Sequence, residues 1–268
     1  SLLFPYTTSQ VSLIVPYYTS KHSKPYGHVG GLGLSVYNDI AGESKSFQTT
    51  GINASGAYNL PFDHDFVNQI TFGLQVGMIN KRIDASNLQW GEQYNPFVGF
   101  DASIAPSELS DFQNKSFIDV NAGIFWWYNP LPMKSKVIKS INSGLSVSHL
   151  NNPNESLLNN VTSQLPLLYK YHGGVVFNLG ANGSVSANFL AAFQKSTIQG
   201  NVGSYLSYIV NTYTPGYFQN TILRLGGWVR INDSFILLTE METSKFKIAF
   251  SYDMNTSSLR YNSRGIGT

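Results

Sequence analysis

The chain has 268 residues with a formal net charge of +2, 12% charged and 14% aromatic residues, 24 glycines and no cysteine. The missing thiols exclude disulfides, thiol chemistry and cysteine metal centres, and so small a net charge offers no footing for nucleic acid. Charge is about half as frequent as the roughly 25% of soluble domains, and at a mean hydropathy of -0.10 no apolar run reaches the roughly 18 residues of a transmembrane helix, so a membrane is open to this chain only through strands.

Residues 1–5 carry neither a basic n-region nor a cleavage site, and any export signal is expected to have been removed already. Residues 6–18 read as a first strand of imperfect alternation, with Val11, Leu13 and Val15 on one side. In residues 30–39 the alternation is strict: Leu32, Leu34 and Val36 share one face, and Gly31, Gly33 and Ser35 the other. Residues 47–60 repeat it, with Ile52, Ala54, Tyr58 and Leu60 against Asn53, Ser55, Ala57 and Asn59, and close in a turn at 59–63. The clearest strand is 68–80, where Ile70, Phe72, Leu74, Val76 and Met78 oppose Thr71, Gly73, Gln75 and Gly77.

Residues 81–94 read as a polar connection with a short irregular strand around 83–90. Residues 98–104 are predicted as a further strand, followed by a loop at 106–115. Strand 118–128 ends in Phe125, Trp126, Trp127 and Tyr128, the composition of an aromatic girdle at a membrane interface. Strand 143–148 leads into a polar loop reaching 164. Strands 169–179 and 185–193 flank a hairpin at 180–183, and strands 202–210, 223–231, 235–240 and 245–255 complete the series.

The pattern is all-β, one domain over residues 1–268, and its segments suit the roughly 9 to 11 residues a tilted strand needs to cross a bilayer. It predicts an antiparallel transmembrane β-barrel of the outer-membrane type. The strands number about 13, and bacterial barrels usually have an even number, so one is miscounted or lies beyond Thr268. The ionisable residues Asp101, Asp119, Lys170, His172, Arg224, Arg230, Lys247 and Asp253 fall on the small, polar face, which would line the lumen. Arg or Lys on the lipid face costs about 2 to 4 kcal/mol at midplane, so this sorting is what a lipid-exposed barrel requires. A soluble β-sandwich binding module would show the opposite sorting.

Other chemistry is weaker. Asp63, His64 and Asp65 are metal-ligand types, but three adjacent residues after Pro61 fit a solvated turn better. Ser148 and His149 suggest a hydrolase only if a base and an orienting group converge with them, which no spacing supplies. Gly30-Gly31-Leu32-Gly33 lies inside a strand with no helix after it to receive a phosphate. Lys134, Lys136 and Lys139 read as a solvated basic turn more readily than as a site for anionic lipid or a partner. No cofactor motif is present.

Several segments, in order, resemble the PorP/SprF family of type IX secretion system outer-membrane proteins. The first is Val29-Gly30-Gly31-Leu32-Gly33-Leu34-Ser35-Val36-Tyr37-Asn38-Asp39-Ile40-Ala41-Gly42. It is followed by Ile52-Asn53-Ala54-Ser55-Gly56-Ala57-Tyr58, Thr71-Phe72-Gly73-Leu74-Gln75-Val76-Gly77 and Asp119-Val120-Asn121-Ala122-Gly123-Ile124. Gly144-Leu145-Ser146-Val147-Ser148-His149-Leu150, Gly227-Trp228-Val229-Arg230 and Phe250-Ser251-Tyr252-Asp253-Met254-Asn255-Thr256-Ser257 complete the series. The chain departs from the family pattern at both ends, lacking a clear Asn-Pro-Ala-Tyr-like start and stopping at Gly265-Ile266-Gly267-Thr268, where a final strand is expected. That strand would bring the total to about 14.

The resemblance implies a non-enzymatic role at the outer membrane of Bacteroidota-type bacteria, in type IX secretion and gliding motility. The implied partners are other type IX secretion components and large secreted adhesins carrying a type B C-terminal domain, with outer-membrane lipid or lipopolysaccharide around the barrel. A narrow, filled barrel would hold the adhesin's terminal domain. The alternative from the barrel pattern alone is an outer-membrane channel or transporter for small or hydrophobic solutes.

Overall fold

The computed structural model describes residues 6–18, 28–42, 46–62, 67–84, 88–104, 106–107, 112–130, 135–210, 221–243 and 246–256. Twelve long strands form one antiparallel sheet whose order follows the chain. They are β1 (Tyr6–Tyr18), β2 (His28–Ala41), β3 (Phe47–Pro61), β4 (Asn68–Ile83), β7 (Lys115–Tyr128), β8 (Ile138–Ser148), β9 (Leu168–Leu179), β10 (Gly183–Gln194), β11 (Thr197–Val210), β12 (Thr221–Arg230), β13 (Ser234–Glu242) and β14 (Lys247–Asn255). Two short strands, β5 (Tyr94–Asn95) and β6 (Gly99–Phe100), pair only with each other, inside the connection between β4 and β7. Among the described residues β1 and β14 are the two edges of the long sheet.

The hairpins are set by residues that accept a left-handed backbone. Gly42 (φ 89°) follows β2, Gly180 (φ 73°) follows β9, Lys195 (φ 51°) joins β10 to β11, and Asn232 (φ 63°) joins β12 to β13. Register then follows from the alternation. Leu34 lies opposite Ala54, Ala54 opposite Val76 and Val76 opposite Val120, so the apolar residues of neighbouring strands gather on one face.

That face has no protein covering it among the described residues. Leu32, Leu34, Ile52, Phe72, Leu74, Met78, Ile118, Leu225 and Phe250 are all exposed, whereas among the described residues Val67 and Ile79 are the only large apolar side chains that are buried. A soluble sandwich would pack this face against a second sheet to remove it from water. Here the sheet is built to meet an apolar solvent.

Two sequence expectations are corrected. Residues 98–104 do not form a spanning strand: Gly99 takes φ 87° to close the short β5–β6 hairpin, and residues 102–104 turn away as an irregular segment. β8 begins at Ile138, before the predicted 143, because a register shift between Ile138 and Ser140 lets the strand continue past an extra residue. Fourteen strands are named in all, twelve of them in the sheet that the alternation foreshadowed. The turn residues Asp63, His64 and Asp65, the basic residue Lys134 and the expected final strand lie outside the described residues.

Candidate functional site

The start of β1, the finish of β14 and the connections 84–114 and 149–167 share one end of the sheet, here the terminal end; the β9–β10 and β13–β14 connections lie at the opposite end. The polar face between these ends is the candidate site.

Cross-strand register places glycines beneath rings on this face. Gly203 faces Trp228 and Gly226 faces Tyr205, and the two rings meet edge-on at 6.0 Å. A Cβ at Gly203 would overlap the indole, and one at Gly226 the phenol ring. In the same way Gly144 leaves room for His172, whose ring stacks on Phe125 at 5.8 Å. The glycines therefore act as seats for bulky neighbours. Elsewhere Gly31, Gly33, Gly73 and Gly123 have no such occupant and, with Ser55, Gln75 and Lys170, line a recess of about 450 Å³.

Three clusters of ionisable residues form on this face. Toward the opposite end, the Arg224 guanidinium donates to Glu240 and, at 2.5 Å, to Glu242, while Lys247 reaches the same Glu240 at 2.9 Å. Toward the terminal end, Arg230 donates to Asp233 at 2.9 Å and lies 3.9 Å from Asp253. The third group is Asp119, only 4% exposed, which meets His149 Nδ1 at 2.8 Å and accepts from Asn121 at 3.1 Å.

The Asp119 group fastens a loop. His149 adopts φ 64°, its N–H donates to Asn121, and Asn151 donates to the Ile118 carbonyl at 2.7 Å while accepting from the Val120 N–H. The loop thus continues β8's place along β7 after regular pairing has stopped. Lys81 forms an ion pair with Glu155 in the same loop and lies 5.9 Å from the ring centre of Phe117. The two long connections are joined through a Phe112–Leu158 bridge and a hydrogen bond from the Gln113 N–H to the Leu157 carbonyl at 2.8 Å.

Within the connection 84–114, Trp90 packs on Phe112 at 5.6 Å and the buried Gln93 side chain donates to the Ile104 carbonyl. The Ser107 hydroxyl and N–H both donate to Glu92 and hold its carboxyl below the usual carboxylate range. Ser103 does the same for Asp101. The β5–β6 hairpin protrudes: Asn95 caps the turn by accepting from the Phe97 N–H at 2.9 Å, and its tip exposes Phe97 at 96% and Val98 at 81%, next to exposed Tyr94 and Phe100.

Of the sequence-predicted charges, Asp119, Lys170, His172, Arg224, Arg230, Lys247 and Asp253 belong to the long strands and share the polar face by register. Asp101 does not; it sits in the irregular connection. Trp126 and Tyr128 share the apolar face with Ile70 and stack at 6.4 Å, while Phe125 and Trp127 turn to the polar face. Sequence reasoning passed over Glu240 and Glu242, the acceptors for Arg224. Their spacing of two residues, in step with Ile236 and Leu238, was the available signal.

An antiparallel sheet with an uncovered apolar face, strands of spanning length and charges gathered on the other face, with Arg82 at the terminal end of β4 as an exception, defines a strand-built membrane protein. The chain belongs to the PorP/SprF family of type IX secretion system membrane proteins, which it matches over residues 6–266. Its place is the outer membrane. No curated protein matches the chain. Among solved structures it is similar to BamA from Haemophilus ducreyi lacking POTRA domains 1–3, with 11% identity and a TM-score of 0.45 over 95% of this chain; it spans 59% of that structure's chain.

Proposed function

We propose that the protein is a non-enzymatic outer-membrane anchor of the type IX secretion system, holding the C-terminal domain of a large secreted adhesin against other type IX components. Family membership supports a role in the secretion system. The observation that carries the holding role is the protruding β5–β6 tip, whose Phe97 and Val98 expose apolar surface that a monomer in water has no reason to keep. The Asn95 cap and the Trp90–Phe112 contact hold this tip on a base tied to the other long connection, which favours a preformed docking element.

In this reading the sheet closes as a single-domain barrel, with β1 meeting β14. Two features support closure. Twelve is an even number, so β1 and β14 run antiparallel to each other. Unpaired backbone along either edge is also strongly unfavourable in hydrocarbon. Trp126 and Tyr128 then mark the membrane boundary, and the charges of the polar face line the lumen.

The test is purification of the tagged full-length protein from native membranes, beside Phe97→Asp. Type IX components and an adhesin are expected with the wild-type protein and depleted with the variant, while heat-dependent gel mobility of both proteins reports an intact barrel. Recovery of no such partner, or equal recovery by a folded Phe97→Asp protein, would overturn the reading. A large, stable open state in single-channel recordings would favour the solute-channel alternative.

A further inference from the structure

The polar face carries a second recess, of about 380 Å³, toward the opposite end from the β5–β6 tip. Five elements of the wall supply small hydroxylated or charged residues, among them Ser184 and Ser186 of β10, Ser207 of β11, Arg224 of β12, Glu240 of β13 and Lys247 of β14. The sixth contribution is Lys139, and its presence there is a consequence of backbone irregularity. In β8 the register passes from Ile138 opposite Phe177 to Ser140 opposite Val176, leaving Lys139 as the extra residue of a bulge. Counting back from Ser140 by strict alternation, Lys139 would face lipid. The bulge instead gives Ile138 to the apolar face with Phe177 and turns Lys139 into the recess.

The charge balance there is uneven. Glu240 accepts from both Arg224 and Lys247, and Glu242 from Arg224, so the two carboxylates neutralise those two cations. Lys139 has no ion-pair partner among the described residues and adds one uncompensated positive charge beside a wall of hydroxyls. Ammonium and hydroxyl donors at a concave polar surface are the complement of an anionic oxygen group. A purely structural wall would need only the Arg224 cluster; neither packing nor pairing requires a lysine to be turned in by a bulge.

We propose that this recess binds a carboxylate, with Lys139 as its charge partner and the serine hydroxyls as further donors. The carboxylate is either a free small solute or the terminus of a polypeptide entering from the opposite end.

The experiment uses the full chain in detergent micelles and measures binding by calorimetry for acetate, for a short neutral peptide with a free C-terminus, and for the same peptide amidated. Lys139→Gln removes the charge at an exposed position without opening a cavity, and Lys136→Gln is the nearby control. The expected result is carboxylate binding that falls about tenfold or more in Lys139→Gln and is unchanged in Lys136→Gln. Acetate and free-terminus peptide binding alike identifies a solute site; only the free-terminus peptide binding identifies a polypeptide site. No carboxylate binding to the wild-type protein, equal binding of the amidated peptide, or no loss in Lys139→Gln would each overturn the proposal.

Discussion

Replacing Leu34 by Arg tests which solvent the apolar face meets. Leu34 lies at the centre of β2, 52% exposed, in register with Leu13 and Ala54 on a face with no protein over it. If that face meets hydrocarbon, a guanidinium at midplane costs about 2 to 4 kcal/mol. At about 1.4 kcal/mol per factor of ten, the folding equilibrium shifts by about 30- to 700-fold. If the face met water, the same exposed position would tolerate Arg within about 0.5 kcal/mol. The adjacent Ser35 is the control. It shares the polar face with Ser12 and Asn53, whose amide donates to its hydroxyl at a long 3.5 Å, so Ser35→Arg meets no hydrocarbon and is expected to change stability by less than about 1 kcal/mol. Urea unfolding in lipid vesicles, followed by tryptophan fluorescence, gives both values from the midpoint at constant slope. Equal shifts at the two positions, or a larger one at Ser35, would refute the assignment of faces.

Gly203→Ala is expected to destabilise the protein by about 1 to 3 kcal/mol, since the added methyl displaces Trp228 from its seat and disturbs the Tyr205 contact; the same unfolding assay reads it, and the near-ultraviolet circular dichroism of Trp228 should weaken. A pH effect is expected in the connection 84–114. Because Ser107 holds the Glu92 carboxyl below its unfolded value, the stabilisation is complete above that value, about pH 4.3, and is lost as pH falls through the lower folded value. Hydrogen exchange at the Ser107 amide, corrected for intrinsic rate, should accelerate in that acid range, and Glu92→Gln should abolish the pH dependence.

The strand series and its two faces were legible because side chains alternate with period two, and β4 shows why: Phe72, Leu74, Val76 and Met78 cannot change faces without shifting the whole strand. Residues 98–104 have the same alternation but are not a spanning strand, since one glycine in a left-handed conformation turns the chain after Val98. Periodicity reports a face; it does not report whether neighbouring backbone is there to pair with it.

By itself the sequence determined that the chain is built of strands with an apolar and a polar face and that its ordered motifs resemble PorP/SprF proteins; it assigned eight charges to the polar face, and the structure keeps seven of them there and moves Asp101 to the irregular connection. Those properties are local, set by residue type and order. Tertiary structure alone decided which groups meet. Arg224 finds Glu240 and Glu242, Asp119 finds His149, and Phe125 finds His172 through cross-strand register, which depends on turns and bulges summed over the intervening chain. Lys139 carries the lesson furthest: alternation turns it toward lipid, and a single extra residue in β8 turns it toward the recess.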